Sequence, residues 1–282
     1  MKPHYFPIVI LLYFSGFFLP IIHAQVAIAP SFVFIDERSG IGNLFVSNNG
    51  NEPQEITLSF RFGYPATDSL GNQVMNYDDP VAFGNHALDP VIRAFPRSFI
   101  LPAGSRQTVR LQVIPSGILT DGFYFTRLRI LARPLTPDQN PGPEPKIATR
   151  IQFNFEQVTA VFYRRGKVMT GLSVDKLSVD QDNKVLKIRP YVKQQGNAPF
   201  IGSMTVRLLD GKGKMAAKFH HSTAVYFEAS KQIEMDISGL EPGEYTLELG
   251  FETQRNDMMS SDLVQSVPIA HEKKLTIFPF SN

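Results

Sequence analysis

Two short turn signatures occur twice in this chain, in the same order, and nothing else restricts its fold as much. Val46-Ser47-Asn48-Asn49-Gly50-Asn51-Glu52-Pro53 is echoed by Val192-Lys193-Gln194-Gln195-Gly196-Asn197-Ala198-Pro199, and Asp121-Gly122-Phe123-Tyr124 by Pro242-Gly243-Glu244-Tyr245. Gly accepts positive φ at no steric cost and Pro presets φ at the exit, so each Gly-Asn-X-Pro reads as a turn between strands. Alternating segments flank these turns at 43–46 and 55–62 in the first copy and at 185–192 and 201–209 in the second. A Tyr just after a Gly turn, opening the strands 123–130 and 245–251, has the pattern of the tyrosine corner, in which the hydroxyl bonds upstream backbone at one end of a Greek-key sandwich. Short period-2 strands between turns, with no sustained 3.6 period, predict an all-β chain of two immunoglobulin-like β-sandwich domains in tandem. The expected division is 25–166 and 167–282, closed by a last strand near 274–278. Gly50 and Gly122 lie 72 positions apart, Gly196 and Gly243 only 47. The surplus is expected at 63–92, as a polar, turn-rich insertion without ladder partners.

The residues before the first copy are expected to be lost. Lys2, the apolar run 8–19 and the small Ala24 form a secretory signal peptide over 1–24, too short to span a bilayer. No later segment approaches membrane length, so the mature chain is expected to be exported and without a stable span.

Composition then removes most chemistry. There is no Cys, which excludes disulfides, thiolate metal sites and Cys nucleophiles. The formal net charge is only +2, so no basic surplus exists to coat nucleic acid. Hydrophobic content of 43% with 19% charged residues is too apolar for a disordered polymer. His220 and His221 are neighbours, which on a strand point to opposite faces; a solvated loop is the expectation, not a metal site. Asp180-Gln181-Asp182-Asn183 lacks the Gly and closing Glu of a calcium loop, and Asp210-Gly211-Lys212-Gly213 lacks the Lys-Ser/Thr end of a phosphate cradle. Both read as hairpin turns. Asp78-Asp79 sit in the turn-rich insertion, where nothing suggests a raised pKa. The chain is expected to be no enzyme and to hold no metal or cofactor.

One segment departs from an ordinary sandwich. Five prolines fall within 134–145, followed by Arg150-Ile151-Gln152-Phe153-Asn154-Phe155-Glu156, a strict polar/apolar alternation. Ile151, Phe153 and Phe155 share one face. Periodicity alone fits either a half-buried strand or a partly exposed one that lends its edge and apolar side chains to another chain.

Four stretches in series resemble the periplasmic pilus-assembly (PapD-like) chaperones of the chaperone–usher pathway. They are Phe32-Val33-Phe34 with Asn43-Leu44-Phe45-Val46-Ser47-Asn48-Asn49; Phe95-Pro96-Arg97-Ser98-Phe99-Ile100-Leu101-Pro102-Ala103-Gly104 with Gln107-Thr108-Val109-Arg110-Leu111; 122–134; and 151–164, ending Val161-Phe162-Tyr163-Arg164. The resemblance implies a periplasmic chaperone that caps fimbrial or other surface-protein subunits by donating an alternating strand. The family's donor positions fall on Ile151, Phe153 and Phe155, and an outer-membrane usher is an implied further partner. The two cations with which the family holds a subunit's terminal carboxylate fall on Ser31 and Ala160. Neither is basic, which leaves Arg150, Arg164 and Arg165 as substitute anchors. The alternative that the residues leave open is a structural or adhesive cell-surface module whose 151–155 segment packs inside its own sandwich.

Overall fold

The computed structural model describes residues 26–114, 119–135 and 154–280; the signal segment 1–24, most of the Pro-rich loop, and Arg150, Ile151 and Phe153 lie outside them. Almost every element is a strand, and the strands form two face-to-face pairs of sheets. In the first pair, β1 (Val26–Ala29), β3 (Ile41–Asn48), β7 (Ile92–Phe95) and β9 (Arg106–Val113) pair in the order β1-β3-β9-β7. Opposite them, β2 (Phe32–Asp36), β4 (Gln54–Arg61), β8 (Ser98–Leu101), β10 (Gly122–Pro134) and β11 (Phe155–Arg165) pair as β2-β11-β10-β4-β8. The chain changes sheets between β1 and β2: β1 runs antiparallel to β3, and β2 runs parallel to β11.

Alternation decides which side of each strand is buried. Along β9, Val109, Leu111 and Val113 point inward while Arg106, Thr108, Arg110 and Gln112 meet solvent. Leu44, Val46, Ile56, Leu58, Leu128, Ile130 and Val161 complete that core from the facing strands. Each such side chain contributes roughly 1.5–3 kcal/mol by leaving water. Without Cys, such packing and backbone pairing must hold the chain.

The second pair repeats the plan. β12 (Thr170–Asp182), β13 (Val185–Gly196), β16 (Glu228–Ala229) and β17 (Ile233–Asp236) make one sheet, in which both short strands pair with β13. β14 (Phe200–Asp210), β15 (Met215–Val225), β18 (Gly243–Glu252) and β19 (Ile269–Ile277) make the other, ordered β15-β14-β18-β19. The closing strand is therefore β19, which starts earlier than the expected 274–278. His220 and His221 lie within β15, not in a loop, and His220 Nδ1 is 2.9 Å from Thr205 Oγ1.

The repeated motifs do the same work in both copies. Tyr124 Oη donates to the Thr120 carbonyl at 2.9 Å, and Tyr245 Oη to the Glu241 carbonyl at 2.9 Å, four residues upstream each time. Asn48 Nδ2 donates to the Glu52 carbonyl at 2.8 Å, and Gln194 Nε2 to the Ala198 carbonyl at 2.6 Å, bridging the two Gly-Asn turns alike.

The expectation for 63–92 is corrected. This stretch has ladder partners and packs against both sandwiches. β5 (Tyr64–Thr67) and β6 (Gln73–Asn76) form a hairpin whose turn is held by the Asp68 carboxylate, which accepts from the Leu70 and Asn72 amides at 2.9 and 2.8 Å. Helix α1 (Pro80–His86) follows, with Pro80 opening it and Asp79 Oδ1 accepting from the Ala82 amide at 2.9 Å. Four-residue strands and a two-turn helix are too short for hydrophobic periodicity to register.

A third apolar cluster joins the two sandwiches. Phe62, Tyr64, Phe123, Phe125 and Phe162 from the first meet Ile201, Tyr226 and Leu263 from the second. Tyr64 and Tyr226 stack with centroids 5.7 Å apart, and Phe125 meets Tyr226 edge-on at 4.6 Å. The hairpin tip also bonds the second sandwich through Gln232 N to Gly71 O at 3.1 Å and Ser230 N to Thr67 Oγ1 at 2.8 Å.

Candidate functional site

β11 is paired unevenly along its length. On one edge β10 follows it throughout, from Phe155 opposite Ala132 to Arg165 opposite Gly122. On the other edge β2 covers only Ala160–Arg164. Among the described residues Phe155–Thr159 has no ladder partner on that second edge; the Gln157 side chain donates through Nε2 to the Val26 carbonyl at 3.1 Å. An unpaired edge of this kind is a template for another strand.

The side chains change character along the same strand. Thr159, Val161 and Tyr163 point into the first core and are buried. Phe155 has the same parity but is 43% exposed, in the part of the strand that β2 does not cover. On the opposite face Ala160 and Phe162 enter the junction cluster, while Val158 is 48% exposed. Of the three expected donor side chains, Phe155 is the one among the described residues.

The anchor positions acquire neighbours that the sequence reading did not connect. Ser31 is exposed at the start of β2; Ala160 is buried, flanked in register by Phe32 on β2 and by Arg127 on β10. Arg127 Nε donates to the Gly63 carbonyl at 3.0 Å and Nη2 to Tyr226 Oη at 3.3 Å. Tyr226 is buried, and burial pushes its phenol up while Arg127 pulls it the other way. Arg255, bonded bidentately to Asp257 at 2.8 and 2.5 Å, lies with its Cζ 5.4 Å from the Phe32 ring centroid. A cation therefore does adjoin Ala160, but it comes from the neighbouring strand. An outward Arg on a half-exposed strand is unremarkable in sequence, and only the cross-strand register brings Arg127 to this place.

Arg164 and Arg165 end β11 at the junction. Both guanidinium Nη atoms of Arg164 reach the Ser261 carbonyl, at 3.3 and 3.4 Å. Arg165 Nε is 3.7 Å from Glu37 Oε1, and Glu37 Oε2 also accepts from the Gly166 amide at 2.8 Å. Nearer the start of the strand, Arg129 grips Glu156 through two bonds of 2.6 and 2.8 Å, which holds the Glu156 carboxyl below its ordinary range.

Among the described residues no group of three or more His, Asp or Glu is gathered to hold a metal. No helix there is long and apolar enough to cross a membrane.

No family model matches the chain, and no curated protein matches it. Solved structures similar to it include pilus chaperones. The YadV chaperone is 14% identical with a TM-score of 0.46, over 89% of this chain and 100% of that one. A chain of the Salmonella enterica SafA pilin–SafB chaperone complex is 16% identical with a TM-score of 0.41, over 87% and 95%. A chain of the CsuC–CsuE chaperone–tip adhesion subunit complex of Acinetobacter baumannii is 12% identical with a TM-score of 0.44, over 88% and 98%.

Proposed function

We propose that this chain is a periplasmic chaperone that caps fimbrial or related surface-protein subunits by donating the strand 150–156, with Ile151, Phe153 and Phe155 as the inserted side chains. The observation that carries the reading is the half-paired β11: Phe155–Thr159 is laddered to β10 alone, and Phe155 is exposed although its parity is that of the core. A client lacking a strand exposes a hydrophobic slot, and a donated edge with apolar side chains satisfies its backbone and its slot together. The donor belongs to an N-terminal domain, 25–166 after removal of 1–24, and 167–282 forms the second domain. Arg150, Arg164 and Arg165 flank the donated segment as cations for a client carboxylate, and Arg127 beside Ala160 is a fourth. Subunits, and an outer-membrane usher that receives them, are the partners; no metal, cofactor, nucleic acid or reaction enters the reading.

Phe155→Asp tests it. A charge on an exposed donor side chain leaves the melting temperature within about 2 °C of the parent and lowers capture of a co-expressed fimbrial subunit at least tenfold. If Phe155 instead packs inside its own sandwich, burying an unpaired carboxylate costs several kcal/mol and the first sandwich unfolds, which favours the structural-module alternative.

A further inference from the structure

The outward face of the five-stranded sheet carries a file of arginines that its own carboxylates do not neutralise. Arg127, Arg129 and Arg133 project from one side of β10, and Arg61 from the same side of β4. Arg61 and Arg127 are direct cross-strand partners, an arrangement that costs stability for like charges. Neither is ion-paired to an acid among the described residues, although Glu156 feels the charge of Arg61. Arg61 sits over the Tyr77 ring at 4.4 Å, and Arg127 is held by a carbonyl and a phenol. Among the described residues Glu156 is the only carboxylate ion-paired to these four, and it is taken up by Arg129. Glu55 lies opposite Arg133 in register without an ion pair to it. The whole chain carries only +2, so this concentration is local and does not reflect a generally basic protein. The junction cluster covers the upper part of the face; lower down it is open, with the half-exposed Val158 beside the arginines.

We propose that this face receives an acidic surface of the client. The inference rests on the chaperone reading and adds the client's chemistry: a strip of Asp or Glu side chains laid across β4 and β10 while the neighbouring edge of β11 is donated. Guanidinium groups without an ion pair, here Arg61, Arg127 and Arg133, favour carboxylates through charge-assisted, often bidentate bonds, and disfavour a basic client by direct repulsion.

The probe is an extended dodecapeptide of alternating Glu and Thr, with a Gln/Thr counterpart, titrated into the mature full-length chain. The expected result is binding of the Glu/Thr peptide that weakens at least tenfold between about 20 mM and about 200 mM salt, as screening lengths shorten. The Arg61→Glu/Arg133→Glu double variant, altered at two exposed positions, loses at least tenfold, while Arg110→Glu, exposed on the opposite sheet, binds as the parent does. Equal binding of the Gln/Thr peptide, or an equal loss in Arg110→Glu, overturns the proposal. Phe155 projects to the other side of β11 from Glu156 and Val158, so Phe155→Asp leaves this peptide's affinity unchanged. A failure of the donor-strand reading and a failure of the acidic-client reading are therefore told apart.

Discussion

Tyr64 ties three parts of the molecule together through one phenol. Its hydroxyl donates to Asp79 Oδ2 at 2.6 Å and accepts from Asn76 Nδ2 at 3.1 Å, while its ring stacks on Tyr226 and meets Phe227 edge-on. Burial first, and then the bond to Asp79, push its pKa from the ordinary 10.0 up to about 12. The folded state thus holds this proton more tightly than an unfolded chain does. The corresponding stability is complete below pH 10 and is lost as pH rises from 10 to about 12. Asp79 behaves in the opposite sense. The Ala82 amide and then Tyr64 hold it below its ordinary 3.8, so its contribution is present above that pH and is lost on acidification. Thermal melts from pH 9 to about 12 are predicted to fall for the parent and to fall less steeply for Tyr64→Phe, which has no phenolic proton at position 64 to lose. A parent-like slope in Tyr64→Phe assigns the alkaline transition to another group, of which Tyr226 is the nearest.

At the scale of elements, the 63–92 insertion is a brace between the sandwiches. Gly71 sits at φ +85°, and a Cβ built there falls 2.7 Å from the Gln232 amide nitrogen, so the hairpin tip approaches the second sandwich as closely as glycine permits. Two outcomes follow for mild proteolysis of the mature protein. The parent is cut first in the Pro-rich stretch 136–149 and resists cutting at 63–92. Gly71→Ala, strained in φ and pressed against backbone, becomes susceptible at 68–72 and is destabilised by about 1–3 kcal/mol in urea. Early cleavage of the parent within 63–92 contradicts the brace. Elements of this length mark where sequence reading stops. The alternations of β3 and β13 were legible, at 43–46 and 185–192, because each strand buries every second residue over eight positions. Tyr124 and Tyr245 were legible because the Gly turn before them has its own chemistry. The hairpin and α1 were not, since four and seven residues carry too few repeats, and their stability comes from Tyr64, Phe125 and Tyr226 meeting across the chain. The site divides the same way. Phe155 follows from strict alternation, whereas Arg127 opposite Ala160 and Arg61 opposite Arg127 exist only once the strand order is known.

Over the whole molecule, the two sandwiches follow one plan but differ at the strand that each places beside its corner strand. In the second, β19 pairs with β18 from Gly243 to Phe251 and is an edge strand along its whole length among the described residues. In the first, β11 pairs with β10 for eleven residues, yet only five of them gain a second neighbour in β2. On the chaperone reading, this open half of β11, with the segment before it, becomes an interior strand of a client. Hydrogen exchange read by mass spectrometry, on the mature chain alone and in complex with a fimbrial subunit that lacks one strand, addresses it directly. In the free protein, amides of 155–159 that do not bond β10 are expected to exchange rapidly, since an open edge offers water free access. In the complex the account predicts that their exchange slows at least tenfold, with the largest gain in the molecule confined to 151–159. Slow exchange of 155–159 already in the free chain, or protection on binding that appears elsewhere and leaves 151–159 unchanged, would contradict it.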